Sequence, residues 1–355
     1  MMRSISFEQA LLRPLAEGAG VAVATLTLGA IVMVAIGADP AAAYRALFTY
    51  AFGDSAAITA VLTRAAPLIL SGLAVAVAFN AGIYNLGGEG QIYLGAFGAA
   101  WVGFSLTGVP ALLHIALVLP AAAVAGAVGA FIPGWLRTRL GVDEVISTIM
   151  LNFVYILFTG YLATYPFRDP ARWSGTTRPI AETARLPVLW ADTGLNAGIL
   201  VAVLLVGLAF WAMRRSALGY RWKIIGLNAR FARYGGVEVE REQLTAMVIS
   251  GALAGLAGAL LVTGSQFRFW AQIGGGIGFD GLLISLLARN HPIGILLAAL
   301  LFAAVKTGSL GMEQATTVPS ELTLVLLAVL ILLVTGREFV TMILARIRVP
   351  AAVQR

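Results

Sequence analysis

Apolar runs long enough to cross a lipid bilayer recur along almost the whole chain of 355 residues. A transmembrane helix needs about 20 consecutive, mostly apolar residues. The stretch 279–288 is shorter than that, and it is predicted to be either re-entrant or a broken helix shielded by protein. The predicted spans are 18–38, 62–82, 90–109, 111–134, 145–166, 195–213, 243–264, 279–288, 293–310 and 321–336, the last with an extension towards 344.

Charge is too scarce for a water-soluble surface of this size. Only 12% of the residues are charged and 59% are apolar, whereas soluble domains carry about 25% charged residues. We therefore predict an all-α polytopic membrane protein with one transmembrane domain over residues 1–355. Its excess of basic residues indicates flanks of membrane spans rather than nucleic-acid binding.

Several classes of site are excluded by residues that the chain lacks. It has no cysteine, which rules out disulfides and thiolate-bound metals, and its two histidines, His114 and His291, lie far apart in sequence. Neither Lys223 nor Lys306 follows the glycines of a phosphate-binding loop, so the chain shows no means of hydrolysing ATP. No catalytic or metal-ligating residues are predicted, and no cofactor of its own.

Basic residues set the predicted orientation. With the N-terminus in the cytoplasm, 16 of the 24 Lys and Arg residues fall on the cytoplasmic side and 8 on the other, as the positive-inside rule requires. Both termini are therefore predicted to be cytoplasmic. Glu8 and Glu17 precede the first apolar run, which we interpret as a retained helix rather than a cleaved signal.

Two long polar loops interrupt the predicted spans. Residues 167–194 form an external loop with several prolines, and residues 214–242 form a cytoplasmic loop dense in charge that should be largely helical. The cytoplasmic loop has two interpretations. It is either a set of solvated helix ends or a docking element for a cytoplasmic partner.

The stretch 79–91 places polar residues and four glycines between two apolar runs with almost no loop. Asn80, Asn85, Glu89 and Gln91 are costly near hydrocarbon unless they face a cavity or a partner. A broken helix that lines a pathway explains this pattern. A tight cytoplasmic turn whose polar groups meet water explains it equally well.

A weak internal sequence similarity indicates that the chain is organised in two related halves. The sequence from Ser71 resembles that from Ser250, and each is followed by a glycine-rich break and one acid, Glu89 in the first half and Asp280 in the second. Such internal similarity favours an inverted repeat of spans two to five and seven to ten. The small residues of 250–259 are typical of close helix packing.

Four stretches together resemble the permease subunits of bacterial ABC importers of the ribose and branched-chain amino-acid type, in the simple-sugar/nucleoside branch. They follow one another in the family's order from the second span to the ninth. The stretches are 79–91, the run Asp143 to Asn152, the run Gly226 to Val237, and the run Phe279 to Pro292.

The resemblance implies a ten-helix permease with a coupling helix in the cytoplasmic loop, which docks into an ATP-binding subunit. It also implies a second permease subunit, usually in a heterodimer, a periplasmic or lipoprotein substrate-binding protein, and a place in the cytoplasmic (inner) membrane. ATP would be bound by the partner subunit. The implied coupling residues are Gly226, Asn228, Ala232, Arg233 and Gly236.

This sequence departs from the family at several positions. Ala229 and Arg230 replace a usual Pro-Glu pair, and Phe231 replaces a small residue, so the local charge of the coupling helix differs. Asn80 replaces a frequent Arg, and Asp143 replaces Asn.

We predict that a nucleoside-like or simple-sugar substrate crosses by alternating access. The groups predicted to line or shape its pathway are Asn85, Glu89, Gln91, Asn152 and Asp280. Two other functions stay open. An ion-coupled transporter or channel acting alone would use buried acids such as Glu89 and Asp280, and a membrane enzyme would need catalytic groups that the sequence does not show.

Overall fold

The computed structural model describes residues 23–171, 175–191, 193–316, 318–319, 322, 325 and 327–329. Every regular element in this part of the chain is a helix. The helices are α1 (Val23–Ala35), α2 (Pro40–Phe52), α3 (Ser55–Asn80), α4 (Gly88–Ser105), α5 (Ala111–Leu140), α6 (Glu144–Thr164), α7 (Gly198–Arg215), α8 (Ala217–Leu227), α9 (Ala229–Tyr234), α10 (Val239–Leu261), α11 (Ile277–Leu287) and α12 (Pro292–Ala315).

Six of these helices are long and apolar enough to cross a membrane. The all-helical prediction is therefore confirmed for the described residues, where six of the ten predicted spans are matched by a helix of this kind. The span 321–336 lies almost wholly outside the described residues. The six are α3, α5, α6, α7, α12 and α10 with its continuation, a π turn over Val262–Gln266.

The helices extend beyond several predicted spans, since α5 ends at Leu140 rather than at 134 and α12 ends at Ala315 rather than at 310. The predicted span 62–82 begins earlier, at Ser55, and α2 is an additional helix that no apolar run indicated. The cytoplasmic loop is helical as predicted, because α8 and α9 lie within it.

The chain divides into two compact units. One comprises residues 55–303, and the other combines residues up to 54 with those from 304. In the first unit α10 is central and packs along α3, α4 and α5. Glycines permit this approach, since a side chain on Gly95 or Gly126 would collide with the backbone of Gly255, which confirms the predicted packing role of 250–259.

Two shorter helices in this unit exchange partners. The helix α4 follows α3 in sequence but packs mainly against α10 and α5, and α11 follows α10 but packs mainly against α3. Each helix that follows a glycine-rich break therefore packs against a long helix from the other half of the unit. This exchange brings the N-termini of α4 and α11 together, with Gly88 beside Gly278.

The predicted external loop is ordered by backbone contacts. Arg168 pairs with Thr177 and Thr176 with Trp270 in antiparallel bridges, while Asp169 and Arg268 form a largely buried ion pair with atoms 3.6 Å apart. A single turn of 3₁₀ helix at Glu182–Ala184 is held by His114, whose Nδ1 lies 2.8 Å from Thr183 Oγ1. These contacts fix the described parts of the loop near Thr176 and Thr183 to the rest of the unit.

In the second unit, α1, α2 and the end of α12 enclose a small apolar core. It is formed by Met33, Ala43, Leu47, Met312 and Val318.

Candidate functional site: a polar helix break and a coupling segment

The chain between α3 and α4 is an irregular segment, residues 81–87, which we call the break. Gly82 has φ +65°, a left-handed conformation that glycine adopts without strain. Asn85 and Gln91 form a reciprocal amide pair, with Asn85 Nδ2 2.8 Å from Gln91 Oε1 and Gln91 Nε2 3.0 Å from Asn85 Oδ1. Asn85 also donates to Ser250 Oγ on α10 at 2.8 Å. The side chain of Asn85 thus ties the break to α4 through Gln91 and to α10 through Ser250.

Asn152 on α6 completes the hydrogen bonding of the break. Its Oδ1 accepts from Gly90 N at 2.8 Å, and its Nδ2 donates to Leu86 O at 2.9 Å. Thr148, one turn earlier on the same face, accepts from Leu86 N through its Oγ1 at 3.3 Å. Irregular backbone inside a membrane protein needs such internal partners, and α6 supplies them. Thr148 was not among the predicted site residues, although its spacing of four from Asn152 was visible in the sequence.

Glu89 caps the N-terminus of α11. Its two carboxylate oxygens accept from Gly276 N at 3.0 Å and from Gly278 N at 2.6 Å. The N-terminal end of a helix carries partial positive charge, which favours a carboxylate there. Gly278 leaves no room for a side-chain carbon next to the backbone of Gly88 and Glu89. The charge of Glu89 is therefore held between the first turns of α4 and α11.

Burial decides between the two interpretations of stretch 79–91. Only 5% of Glu89 is exposed, and Asn85 and Gln91 are buried as completely. The interpretation as a turn whose polar groups meet water is wrong for these three residues, because their polar atoms bond to protein instead. That they line or shape a substrate pathway stays a prediction.

Asp280 lies on the facing helix rather than in the break. It is buried in the first turn of α11, as Glu89 is in the first turn of α4. Ser71 on α3 packs beside the same turn, and its hydroxyl donates to Ile277 O at 2.9 Å. The structure thus joins Asn85, Gln91 and Asn152 in one network, with Glu89 and Asp280 on the two adjoining helix starts.

A second site is formed by α8, α9 and the following turn, residues 217–237, which we call the coupling segment. Most predicted coupling residues have internal contacts there. Asn228 Oδ1 accepts from Phe231 N at 3.0 Å and caps α9, Ala232 is buried against Ile225, and Arg233 pairs with Glu240. Gly236 adopts a left-handed φ of +78°.

Apolar side chains of the coupling segment point outward. Leu227 is 78% exposed and Tyr234 is 93% exposed, and Phe231 lies between them in sequence with most of its surface open. The sequence prediction selected none of these three as site residues. The sequence nevertheless contained an indication of them, because they are large apolar residues in a loop otherwise rich in charge.

The coupling segment contacts the break directly. A side-chain carbon on Gly82 in the break would lie 3.2 Å from Gly226 Cα, and one on Gly226 would lie 2.6 Å from Asn80 O at the end of α3. Gln243 on α10 donates to Gly82 O at 3.1 Å. Glu242 braces α8 against α10, since it accepts from Trp222 Nε1 at 3.0 Å and pairs with Arg221 at 2.6 Å. A movement of this segment would therefore act on the break without an intervening element.

The described residues contain no group of three or more His, Asp or Glu side chains placed to hold a metal ion.

Comparisons with known proteins agree on one family. The model of the family described as "Branched-chain amino acid transport system / permease component" matches residues 57–335. The chain is 37% identical over 328 residues to a guanosine ABC transporter permease protein of Bacillus subtilis, covering 91% of this chain and 93% of the other. It is also 37% identical to a glucose ABC transporter permease protein of Haloferax volcanii, covering 89% and 86%.

A second guanosine ABC transporter permease protein of Bacillus subtilis is 27% identical over 264 residues, covering 71% of this chain and 81% of the other. Among solved structures, an inward-facing protein described as a metal-chelate type ABC transporter aligns with a TM-score of 0.48 and 17% identity. That alignment covers 88% of this chain and 97% of the other.

Membership of this family implies an ATP-binding subunit and a substrate-binding protein as partners. The chain belongs to the family of permease components of branched-chain amino acid transport systems, and it is a permease subunit of an ABC importer in the cytoplasmic membrane.

Proposed function

We propose that this chain forms one half of the membrane pathway of an ATP-driven importer for nucleoside-like or simple-sugar substrates. In this proposal ATP is bound and hydrolysed by a partner subunit, and the chain needs no cofactor of its own. The observation that carries the proposal is the close approach of Gly226 in the coupling segment to Gly82 in the polar break.

The exposed side chains of the coupling segment supply a docking surface for the ATP-binding subunit. Leu227, Phe231 and Tyr234 expose apolar surface on a segment otherwise rich in charge, and aromatic anchors of this kind dominate the energy of protein interfaces. The predicted coupling residues then hold this docking surface in place through contacts within the chain. Asn228 caps α9, Ala232 anchors it, and Arg233 ties it to Glu240 on α10.

Motion of the docked segment has two routes into the membrane. Gly226 contacts Asn80 at the end of α3, and Gln243 holds the carbonyl of Gly82. Closure of an ATP-bound partner would shift the coupling segment, and with it the break. The importer then alternates between two global states that substrate and nucleotide favour differently.

The polar groups around the break suit an uncharged substrate. Asn85, Gln91 and Asn152 are neutral, and both carboxylate oxygens of Glu89 already accept hydrogen bonds from backbone N–H groups at the start of α11. Two relatives are named for guanosine and glucose transport, and both molecules present neutral hydrogen-bonding groups. We therefore propose nucleosides as the first class to screen and simple sugars as the second.

The finer architecture belongs to the same proposal. We propose ten spans with both termini in the cytoplasm, and an inverted repeat. The exchanged packing of α4 and α11 supports the repeat, since each packs against the long helix of the other half. Similarity to two different guanosine permeases of one bacterium supports a heterodimer of permeases.

An ion-coupled transporter acting alone is the second candidate. The burial of Glu89 and Asp280 favours it, because intramembrane acids are what such proteins titrate. The family match and the apolar coupling surface weigh against it.

Co-purification tests the proposal. The tagged chain is extracted in mild detergent, and its partners are identified by mass spectrometry, for the unaltered protein and for Arg233→Glu, Phe231→Ser and Tyr234→Ser. We expect an ATP-binding subunit and a second permease to co-purify, and each variant to retain less of the ATP-binding subunit. Tyr165→Ser is the matched control, because Tyr165 is also exposed but follows α6, far along the chain from the coupling segment.

Uptake assays in proteoliposomes complete the test. ATP-dependent uptake of a nucleoside or a sugar by the assembled complex supports the importer. Uptake by this chain alone, driven by an ion gradient without ATP, would overturn it in favour of the second candidate.

A further inference from the structure

The helix α2 has no place in the substrate pathway or the coupling segment. It has 13 residues, which at 1.5 Å per residue makes it about 20 Å long. The hydrocarbon core of a bilayer is about 30 Å thick. This helix is therefore too short to cross the membrane, although it follows one apolar helix, α1, and precedes another, α3.

Both ends of α2 are polar. Asp39 caps the first turn, where its Oδ1 accepts from Ala41 N at 2.8 Å, and Pro40 occupies the first helical position. At the other end Gly53 N bonds back to Thr49 O, and Asp54 follows. Two acids at the ends of so short a helix keep it out of the hydrocarbon core.

One face of α2 is fixed to the rest of its unit. Ala43 and Leu47 pack with Met33 and Met312, and Tyr44 Oη donates to Leu26 O on α1 at 2.6 Å. On α12, Gly308 faces Leu47 and Gly311 faces the ring of Tyr50, and neither leaves room for a side-chain carbon. The position of α2 along α12 is thus set by close contact.

The outer face of α2 combines aromatic rings with a cation. Phe48 is 51% exposed, Phe52 is 54% exposed and Arg45 is exposed, and their spacings of three and four residues place them on one face of the helix. Aromatic side chains are enriched where a membrane meets water, and a basic residue at that level can reach lipid phosphates. A face turned to bulk water would not carry two large rings, and a face turned to hydrocarbon would not carry Arg45.

We propose that α2 is an interfacial helix that binds the lipid headgroup region of the membrane. Phe48 and Phe52 insert at the boundary between headgroups and acyl chains, and Arg45 contacts lipid phosphate. Its tight packing on α12 then fixes the depth at which α1 and α12 sit. The inference is independent of the transported substrate.

The absence of cysteine gives a clean background for the test. Phe48→Cys and Phe52→Cys are made separately in the full chain, labelled with an environment-sensitive fluorophore, and placed in phosphatidylcholine nanodiscs. The discs contain lipids with a quenching spin label either near the headgroup end of the acyl chain or near its terminal methyl. Leu204→Cys on α7 is the control for exposed surface within a span, Tyr234→Cys is the control for water, and Leu47→Cys is the buried control.

We expect both α2 probes to be quenched about threefold more by the shallow label than by the deep one, as for a group at the interface. The Leu204 probe should respond more to the deep label, and the Tyr234 and Leu47 probes should respond to neither. A water-like signal without quenching at Phe48 and Phe52 would overturn the proposal. So would preferential deep quenching, and so would protection of the probes that appears only when a second permease subunit is co-purified, which would assign this face to a protein contact.

Discussion

The break and the coupling segment invert the usual distribution of side chains in opposite ways. At the break, polar groups such as Asn85 and Gln91 are buried in a largely apolar protein, and at the coupling segment, apolar groups such as Tyr234 are exposed on a polar element. Burying a polar group costs free energy unless it is hydrogen-bonded, and exposing a large ring forgoes the gain from burial. The break offsets its cost with internal hydrogen bonds, whereas the coupling segment leaves its apolar surface available to a partner.

The comparison separates two kinds of functional residue. Substitutions at the break should destabilise the isolated chain, because its polar groups bond to one another. Substitutions at the exposed apolar side chains should leave the isolated chain stable and weaken only its assembly. The predictions below test that separation, starting with the largest expected change in stability.

Among the residues considered, Glu89 is expected to contribute most to the free energy of unfolding. Glu89→Ala should lower the free energy of unfolding by about 3 kcal/mol, because two buried backbone N–H groups lose a charged acceptor. Glu89→Gln retains one oxygen and should cost about half as much. Thermal unfolding in detergent measures the loss, and hydrogen exchange should accelerate at the amides of Gly276 and Gly278. Glu182→Gln, at an exposed acid, is the control and should change neither. Equal stability of Glu89→Ala and this control would contradict the capping role.

Asn152 is expected to make the second largest contribution to the free energy of unfolding. Asn152→Leu keeps the size of the side chain but leaves Gly90 N and Leu86 O without their partner, which should cost about 2 kcal/mol. Ser147→Ala is the control on the same helix, because that hydroxyl bonds only to its own backbone. The measurement pairs thermal unfolding with substrate uptake. Unchanged stability with loss of uptake would instead assign Asn152 to substrate contact.

Gly226 lies where the coupling segment meets the break, and its substitution should have an intermediate effect on the stability of the chain. The added carbon of Gly226→Ala collides with Asn80 O, and displacing the coupling segment should cost about 1 kcal/mol. ATP-driven uptake should fall more than stability does, while the ATP-binding subunit stays bound. Gly207→Ala on α7, where an added carbon meets nothing within 4 Å, should be neutral or slightly stabilising. Loss of the ATP-binding subunit from Gly226→Ala would show that Gly226 acts in docking rather than in transmission.

Phe231 and Tyr234 should matter least to the isolated chain. Phe231→Ser and Tyr234→Ser are expected to change the free energy of unfolding by less than about 0.5 kcal/mol, as surface substitutions usually do. Thermal unfolding of the chain without its partners is the measurement. A large loss of stability would mean that these rings pack within the chain, and the contrast between the two regions would fail.

Local patterns in the sequence were sufficient for much of the fold. Apolar length predicted helices at α3, α5, α6, α7, α10 and α12, because a bilayer requires about 20 apolar residues in a helix that satisfies its own backbone. The glycines of 250–259 predicted close packing, and motif order predicted the family. The helix α2 was missed, since its mixed face has neither the length of a span nor the polarity of a loop.

The polar residues of the site could be selected from sequence, but their partners could not. Asn85 and Gln91 are six residues apart, whereas Glu89 bonds to Gly276, 187 residues away. No periodicity connects positions so distant, because the exchanged packing of α4 and α11 alone brings them together. The same holds for the coupling segment, where tertiary contacts bury Ala232 and leave Phe231 exposed one position earlier.

The sequence by itself thus determined that this chain is a helical membrane protein, where its long apolar helices lie, and which family it resembles. These properties depend on hydrophobic length, charge bias and local motifs, all of which are linear in the chain. Only the tertiary structure decided that Glu89 caps α11, that Asn152 supports the break, and which apolar groups remain open for a partner. Those outcomes depend on which distant backbone groups lie within hydrogen-bonding reach, and helix packing sets that distance.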